Sequence, residues 1–407
     1  MSIFQQIKKR NWLGESSLKT QIKILSFPLV IFFGLCPFGE QTKAKKLWSA
    51  FSCLLFIYTF IGGAFCHLFY YEKEKAIMMQ TICIFFSGLT CTIKSIWLIT
   101  SRDKISQLLQ RSERDTETIL PDSDEDLIMR RNMKSTKIIT IVFVACLSLA
   151  CIFLFLDNII RSDHIMPDLS ITLPGLHPKY QSPNYEATYF ILLYTGVFGC
   201  VTTCTNNIVY LTLITHVKSE MLWLRKCANL RKFTHLKAIK FYLEKKNVRI
   251  RTDALKTTPR TASEMLDLKM FYLVLKHNDV IKYIKIMRKL YSRTLGAQFL
   301  AVLCCMGAIL CQVDTSSLTL NAVVVLNAFG DVVFYCHFAE GLVGTGDSFN
   351  CKGWEDLPIR SRRSVIMFFI ALDRTLALDA GGFYMLSHES LMDIIQKAYT
   401  IYNVFAK

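Results

Sequence analysis

Three sets of side chains in this sequence could do chemistry in apolar surroundings. The first lies near the end of the chain, where Glu389, Asp393 and Lys397 recur every four residues and Tyr399, Tyr402, Phe405 and Ala406 follow. An acid four residues ahead of a lysine is the favourable order for a helical ion pair. A charge buried in an apolar helix costs about 3 kcal/mol or more unless water or an acid meets it. The chemistry this suggests is ion passage, with a charged mouth at Glu389, Asp393 and Lys397 leading to an aromatic stretch in which Tyr399, Tyr402 and Ala406 share a face. The same rings equally suit packing between helices and anchoring at a membrane interface.

The second set is Asp331 with Asn321, Asn327 and His337 along one apolar stretch. Ionisable groups in such stretches are functional candidates by default, and a structural contact from Asp331 to Asn206 or Asn207 is the alternative. The third set is apolar: Met79, Phe85 and Phe86, then Ser148, Cys151 and Phe155, then Phe190, Tyr194 and Phe198, then Met306 and Ile309. Methionine and aromatic walls give shape-tolerant dispersion contacts that suit an apolar ligand. Each is also a normal residue for a helix-bundle core. No nucleophile and base pair, phosphate loop or nucleotide fingerprint is present, so neither catalysis nor a cofactor is expected. His164 and His177 have no ligand partners at metal spacing.

The elements that must position these sets are membrane helices. The chain has 407 residues, 52% of them hydrophobic, with 29 Phe and a mean hydropathy of +0.32. A water-soluble domain of this size could not hide so many apolar runs. Windows of about 20 residues, enough to cross roughly 30 Å of hydrocarbon, give spans at 47–69, 77–100, 138–157, 187–215, 294–313 and 317–340, besides the terminal segment. Segments 1–46, 101–137, 216–290 and 341–389 hold forty Lys and Arg, while the alternate set holds only Lys73, Lys75, Arg161, Lys179 and Lys407. Cytoplasmic loops carry the positive excess, so an inside N-terminus and an outside C-terminus are expected, with no cytoplasmic tail after the last helix. Retention of those loops also accounts for the net charge of +16, and nucleic acid is not an expected partner.

The 15 Cys fall mostly inside spans, where cysteine behaves as a small apolar residue, and no disulfide framework is implied. Residues 1–46 form a cytoplasmic N-terminal segment with a re-entrant or interfacial helix around Pro28. Spans one to four occupy 47–215. The cytoplasmic loop 216–290 carries apolar residues every three or four positions, the mark of helices running out of the membrane, with 244–265 flexible between them. The piece 101–120, with Ile105, Leu108 and Leu109 among charges, extends span two. Spans five and six occupy 291–345. Residues 346–386 hold a cytosolic anchor helix at 356–374, whose apolar face must bury against protein, and a turn at Gly381 and Gly382 that ends a helix. The C-terminal helix, 387–407, opens with Ser387 as its N-cap. The proline-bearing loop 158–186 is expected to be a lid on the outer side.

Several of these features together resemble the insect odorant receptors: the inverted seven-span topology, the short basic cytosolic helix, the run Ala380-Gly381-Gly382 followed by Phe383-Tyr384-Met385-Leu386-Ser387, and Ala398-Tyr399-Thr400 in the last helix. Asn350 and Thr400 depart mildly from the family's usual residues. The resemblance implies an all-α integral membrane protein that acts as an odorant-specific tuning subunit. It would bind a volatile apolar odorant in an outer-leaflet pocket built from the third set. It would gate a non-selective cation channel formed with the odorant co-receptor, as a tetramer embedded in membrane lipid. Tyr399, Tyr402, Phe405 and Ala406 would then lie at the gate, and the site would be the cell membrane of an olfactory neuron dendrite. The alternatives are a gustatory-type homotetrameric channel, a G-protein-coupled receptor, which the charge asymmetry opposes, and a transporter, which the lack of internal repeats opposes.

Overall fold

The computed structural model describes residues 28–36, 42–71, 75–161, 171–178, 181–228, 235–246, 262–310, 318–347, 359–372 and 377–405. They are helical almost throughout. A short helix α1 (Pro28–Phe32) is followed by α2, which runs from Lys43–Phe56 through π-helical turns at Ile57–Gly62 and His67–Tyr71. Then come α3 (Lys75–Thr100), α4 (Arg102–Glu117), α5 (Asp124–Arg161), α6 (Asn184–Cys227), α7 (Leu236–Lys245), α8 (Ala262–Leu310), α9 (Leu318–Asp347) and α10 (Ile359–Leu372). A two-stranded antiparallel hairpin, β1 (Asp379–Ala380) and β2 (Tyr384–Met385), leads into α11 (His388–Phe405). Among the described residues, five helices are long and apolar enough to cross a membrane.

At about 1.5 Å per residue, the 44 residues of α6 and the 49 of α8 reach roughly 66 and 74 Å, more than twice the hydrocarbon thickness. Helix α6 runs on to Cys227 and α8 begins at Ala262, so both enter the 216–290 segment. Helix α6 is the hub: from Val201 to Leu224 nearly every side chain is buried, the pattern of a helix that is covered all round. Helix α3 packs along α8, and α5 along α6. Helix α4 continues α3 after a break at Ser101, whose carbonyl still accepts the Ile105 N–H at 3.0 Å. It buries Ile105, Leu108 and Leu109 as their spacing predicts. Most of the segment expected to be flexible, 247–261, lies outside the described residues.

Helix α1 starts on Pro28, whose missing N–H costs nothing at a first helical position. It closes at Gly34, which takes φ +69° while Leu35 N–H donates to the Val30 carbonyl, a left-handed cap that favours glycine. Residues 171–173 lie buried against α2, with Thr172 bonded to the His67 ring at 2.8 Å and its N–H to the Gly63 carbonyl at 3.3 Å. A Cβ on Gly63 would collide with Ile171. Two expectations need correction. Gly381 and Gly382 do not end a helix; they form the hairpin turn at φ +66° and +80°, because Asp379 accepts the Gly382 N–H at 2.9 Å and pins the reversal. The anchor helix α10 buries Val365 and Phe368 but leaves Ile359, Ile366 and Met367 exposed, so among its described side chains the apolar ones are covered in part within the chain.

Candidate functional site

The last helix is held at its root by the hairpin. Asp379 accepts from Arg288, from Ser292 Oγ at 2.6 Å and from the Gly382 N–H, and the Gly381 N–H donates to the Ser292 carbonyl at 2.7 Å. Gly296 faces Gly381 so closely that a Cβ on it would come within 2.9 Å of the Gly381 backbone. Burial pushes the Asp379 carboxyl up, but the Ser292 and Arg288 contacts outweigh it and hold its pKa below the ordinary value. Ser387 caps α11 as the sequence predicts, accepting the Ser390 N–H at 3.1 Å, and Glu340 accepts the His388 N–H at 3.3 Å.

Along α11, Ile394 and Ala398 are buried against α8 and α9. Met392, Ile395, Tyr399 and Asn403 lie on the opposite, exposed side. Tyr399 is 57% exposed, and Tyr402 is half-buried beside it with ring centroids 6.0 Å apart. Lys397 donates to Asp393 at 2.7 Å, the pair expected from their spacing, and also to the Tyr384 hydroxyl at 2.6 Å. Glu389 is exposed. Ala406 and the Phe405 side chain lie outside the described residues.

Deeper in the bundle is a polar layer. Asp331 on α9 is ion-paired with Lys94 on α3, both side chains being 2% exposed. Asp331 also accepts from Asn207 of α6 at 2.5 Å and from Gln298 of α8 at 3.4 Å. Tyr335, one turn along α9, donates to Asn207 and accepts from Asn206 at 2.6 Å. Tyr210 and Tyr335 stack edge to face at 4.7 Å, Tyr210 meets Tyr291 at 5.3 Å, and Tyr291 meets Trp97 at 4.6 Å. The structural contact open to Asp331 is thus realised with Asn207. His337 is exposed, near His388 at 5.6 Å; the side chains of Asn321 and Asn327 lie outside the described residues.

The apolar set divides. Met79, Phe86 and Ile309 share one cluster with Cys83, Cys305 and Ala308 on the facing surfaces of α3 and α8. The Phe85 ring stands edge-on to Phe86 at 5.5 Å, and Met306 packs beside this cluster against the main core. Tyr194 and Phe198 lie in a different aromatic group. Phe33 stands edge-on to both at 5.5 and 5.3 Å, Phe56 meets Phe198 at 5.8 Å, and the Tyr194 hydroxyl shares a 2.7 Å hydrogen bond with Ser52. Phe190 is 66% exposed and Ser148 is exposed on α5. The side chains of Cys151 and Phe155 lie outside the described residues.

This arrangement has relatives. The family model for the 7tm odorant receptors matches residues 76–399. The chain belongs to the odorant receptor family. The insect olfactory receptor OR5 from Machilis hrabei, in a structure with eugenol, is similar in fold with a TM-score of 0.71 at 12% identity, covering 96% of this chain and 98% of that one. A further structure of the same receptor gives a TM-score of 0.69 at 12% identity, covering 95% and 97%. Among curated proteins no sequence matches the chain.

This odorant receptor contains a second charged cluster that the sequence reading did not find, in the helical extensions. Lys276 Nζ of α8 lies 2.7 Å from Glu220 and 3.4 Å from Glu125. Lys246 of α7 lies 2.9 Å from Asp115 of α4 and 3.7 Å from Asp279. Asp115, His216 and Glu220 approach within 4.8 Å of one another, a spacing that invites a metal, but the Lys276 ammonium already sits on Glu220. Burial pushes the Asp115 carboxyl up, yet the Lys246 bond and charge, with Lys276 and His216 behind them, hold its pKa below the ordinary value. In sequence such charges differ from solvated loop residues only by their place on the apolar-facing side of a helix.

Proposed function

We propose that this receptor is an odorant-specific tuning subunit that gates a non-selective cation channel together with the odorant co-receptor. The observation that carries the reading is α11, a helix with one face buried on α8 and α9 and an apolar, tyrosine-bearing face left free. In a tetramer those free faces would converge on a common axis and line the pore, with Glu389, Asp393 and Lys397 at its mouth and Tyr399, Tyr402, Phe405 and Ala406 at its narrow end. The N-terminus is inside and the C-terminus outside, as the forty-to-five distribution of basic residues supports.

The ligand is a compact volatile that sits against the Met79, Phe86 and Ile309 cluster, and the eugenol complex of the Machilis hrabei receptor supports an aromatic volatile as its class. Phe85 and Met306, which adjoin that cluster, extend the wall, while Tyr194 and Phe198 form a separate aromatic group with Phe33 and Phe56 and Phe190 and Ser148 are exposed. The test is expression with and without the co-receptor while cation current is recorded against a panel of volatiles including eugenol. Odorant-evoked current only in the co-expressed pair is the expected result. Robust current from this chain alone would overturn the tuning role, and a C-terminal tag labelled only after permeabilisation would overturn the orientation.

A further inference from the structure

The polar layer around Asp331 stands between the apolar cluster and the root of α11. Lys94 lies eight residues beyond Phe86 on α3, Gln298 eight before Met306 on α8, and Asn207 nine beyond Phe198 on α6. Those offsets are ~12 to ~14 Å along each helix, so three helices bring their polar groups to one level below the apolar residues. On the other side, α9 runs nine residues from Asp331 to Glu340, which holds the first residue of α11. Helix α8 runs from Gln298 back to Ser292, which holds the hairpin. Helices α3, α6 and α8, which carry the apolar cluster and Tyr194 and Phe198, therefore all meet α9 at the Asp331 carboxylate, and α6 also meets it through Tyr335.

A buried ion pair is a poor way to gain stability, because well-packed apolar residues of similar volume do as well or better. Ionisable groups among membrane helices accordingly mark function by default. The layer also holds unused capacity. Gln298 Oε1 and Asn206 Oδ1 are buried without a hydrogen-bond partner, while the Lys94 ammonium has three N–H groups to give. Gln298 meets the same Asp331 oxygen as Lys94, so its free Oε1 is an alternative acceptor beside the ammonium, the condition for two discrete arrangements and not one.

We propose that the Lys94–Asp331 pair, with Asn207 and Gln298, is a positioning element that transmits displacement of α3, α6 or α8 to α11 by exchange of the Lys94 partner. This rests on the odorant-gating reading for its purpose, but its mechanics can be tested without a ligand. The probe is the rate at which a membrane-impermeant methanethiosulfonate reagent modifies Tyr399→Cys on cells co-expressing the co-receptor. Asp331→Asn strands the Lys94 charge, and the double variant Lys94→Met/Asp331→Leu removes both charges while keeping the site filled. Each is expected to change the modification rate about tenfold, the size of coupling seen between groups in one network. If Asp331→Asn does not reach the surface, the apolar double variant decides. A double variant present at normal surface abundance, with a rate within about twofold of the parent, would reduce the pair to a packing device and overturn the proposal. An altered rate in a receptor that passes no current for any volatile would keep the coupling and sink the odorant-gating reading. Odorant-evoked current with an unaltered rate would do the reverse.

Discussion

The two ends of this bundle are held by different forces. In the helical extensions, Asp115, Glu125, Glu220 and Asp279 are threaded by Lys246 and Lys276, with Tyr283 bonded to Ser112 at 2.6 Å and Trp223 to Tyr272 at 2.6 Å. The opposite end carries no such ion pairs among the described residues: apolar contacts of Met79, Phe86, Ile171, Leu173 and Leu192 join a few neutral hydrogen bonds at Thr172, and two π-helical turns interrupt α2. At the charged end the Lys276 ammonium sits between two buried carboxylates, and a shift of an ångström or two would strand a charge. An apolar face tolerates sliding, and π turns often occur at functional sites. The difference suggests an anchor at the charged end and a deformable, ligand-adapting end opposite it.

The largest effect should come from breaking the anchor. Lys276→Met leaves Glu220 and Glu125 buried without their cation and is expected to cost about 3–5 kcal/mol, read as loss of surface abundance and a lower unfolding temperature in detergent. Adding Glu220→Leu should recover part of that loss. A single variant as stable as the parent would show that the charged end is not the stiffer one.

Acid should loosen the same end. Asp115 titrates below the ordinary carboxylate value, so its contribution is complete above the unfolded pKa near 3.9. It is lost as pH falls from there through the folded pKa. Unfolding temperature should therefore fall through that acid range, and Asp115→Asn should flatten the fall. An unchanged acid limb in Asp115→Asn would assign it to other groups.

Much of this was legible in sequence, for identifiable reasons. The long extensions of α6 and α8 show in the three- and four-residue spacing of Met221, Leu224, Ile284 and Met287, and Ser387 shows as a cap because it precedes a helical run. Lys94 was hidden because one lysine in a long apolar window does not disqualify a span, and its partner Asp331 is 237 positions away. The hairpin was hidden because paired glycines also end helices; Asp379, placed to accept from the turn, was the discriminating residue. The division of the apolar set was hidden because periodicity gives a helix face but not the neighbour it meets.

That division yields a smaller, sharper test. Phe86→Ala should shift odorant sensitivity with little loss of surface abundance, since Phe86 is only half-buried. Tyr194→Phe removes the bond to Ser52, worth about 0.5–1.5 kcal/mol, and should lower stability slightly while leaving odorant ranking unchanged. Tyr194→Ala should lower abundance and sensitivity together. If Tyr194→Phe instead reorders the odorant ranking, the α2 and α6 aromatic group belongs to the ligand site, and the two groups act as one.

The smallest effect on folding, and the finest contrast, is expected on α11. Periodicity puts Met392, Tyr399 and Asn403 on one side and Ile394 and Ala398 on the other, and burial follows that division. Cysteine at Tyr399 or Asn403 should react with a water-soluble thiol reagent and alter current, while cysteine at Ile394 or Ala398 should be protected by α8 and α9. Tyr402, half-buried at the edge of the free face, should fall between them. In the proposed assembly co-receptor subunits would share the pore, so the size of the block is less informative than the order of the rates. Fast reaction at Ala398 with protection at Tyr399 would mean that the covered and free faces exchange in the assembled channel. The deformable region would then extend to α11 itself, and the charged end would be the only fixed part of the subunit.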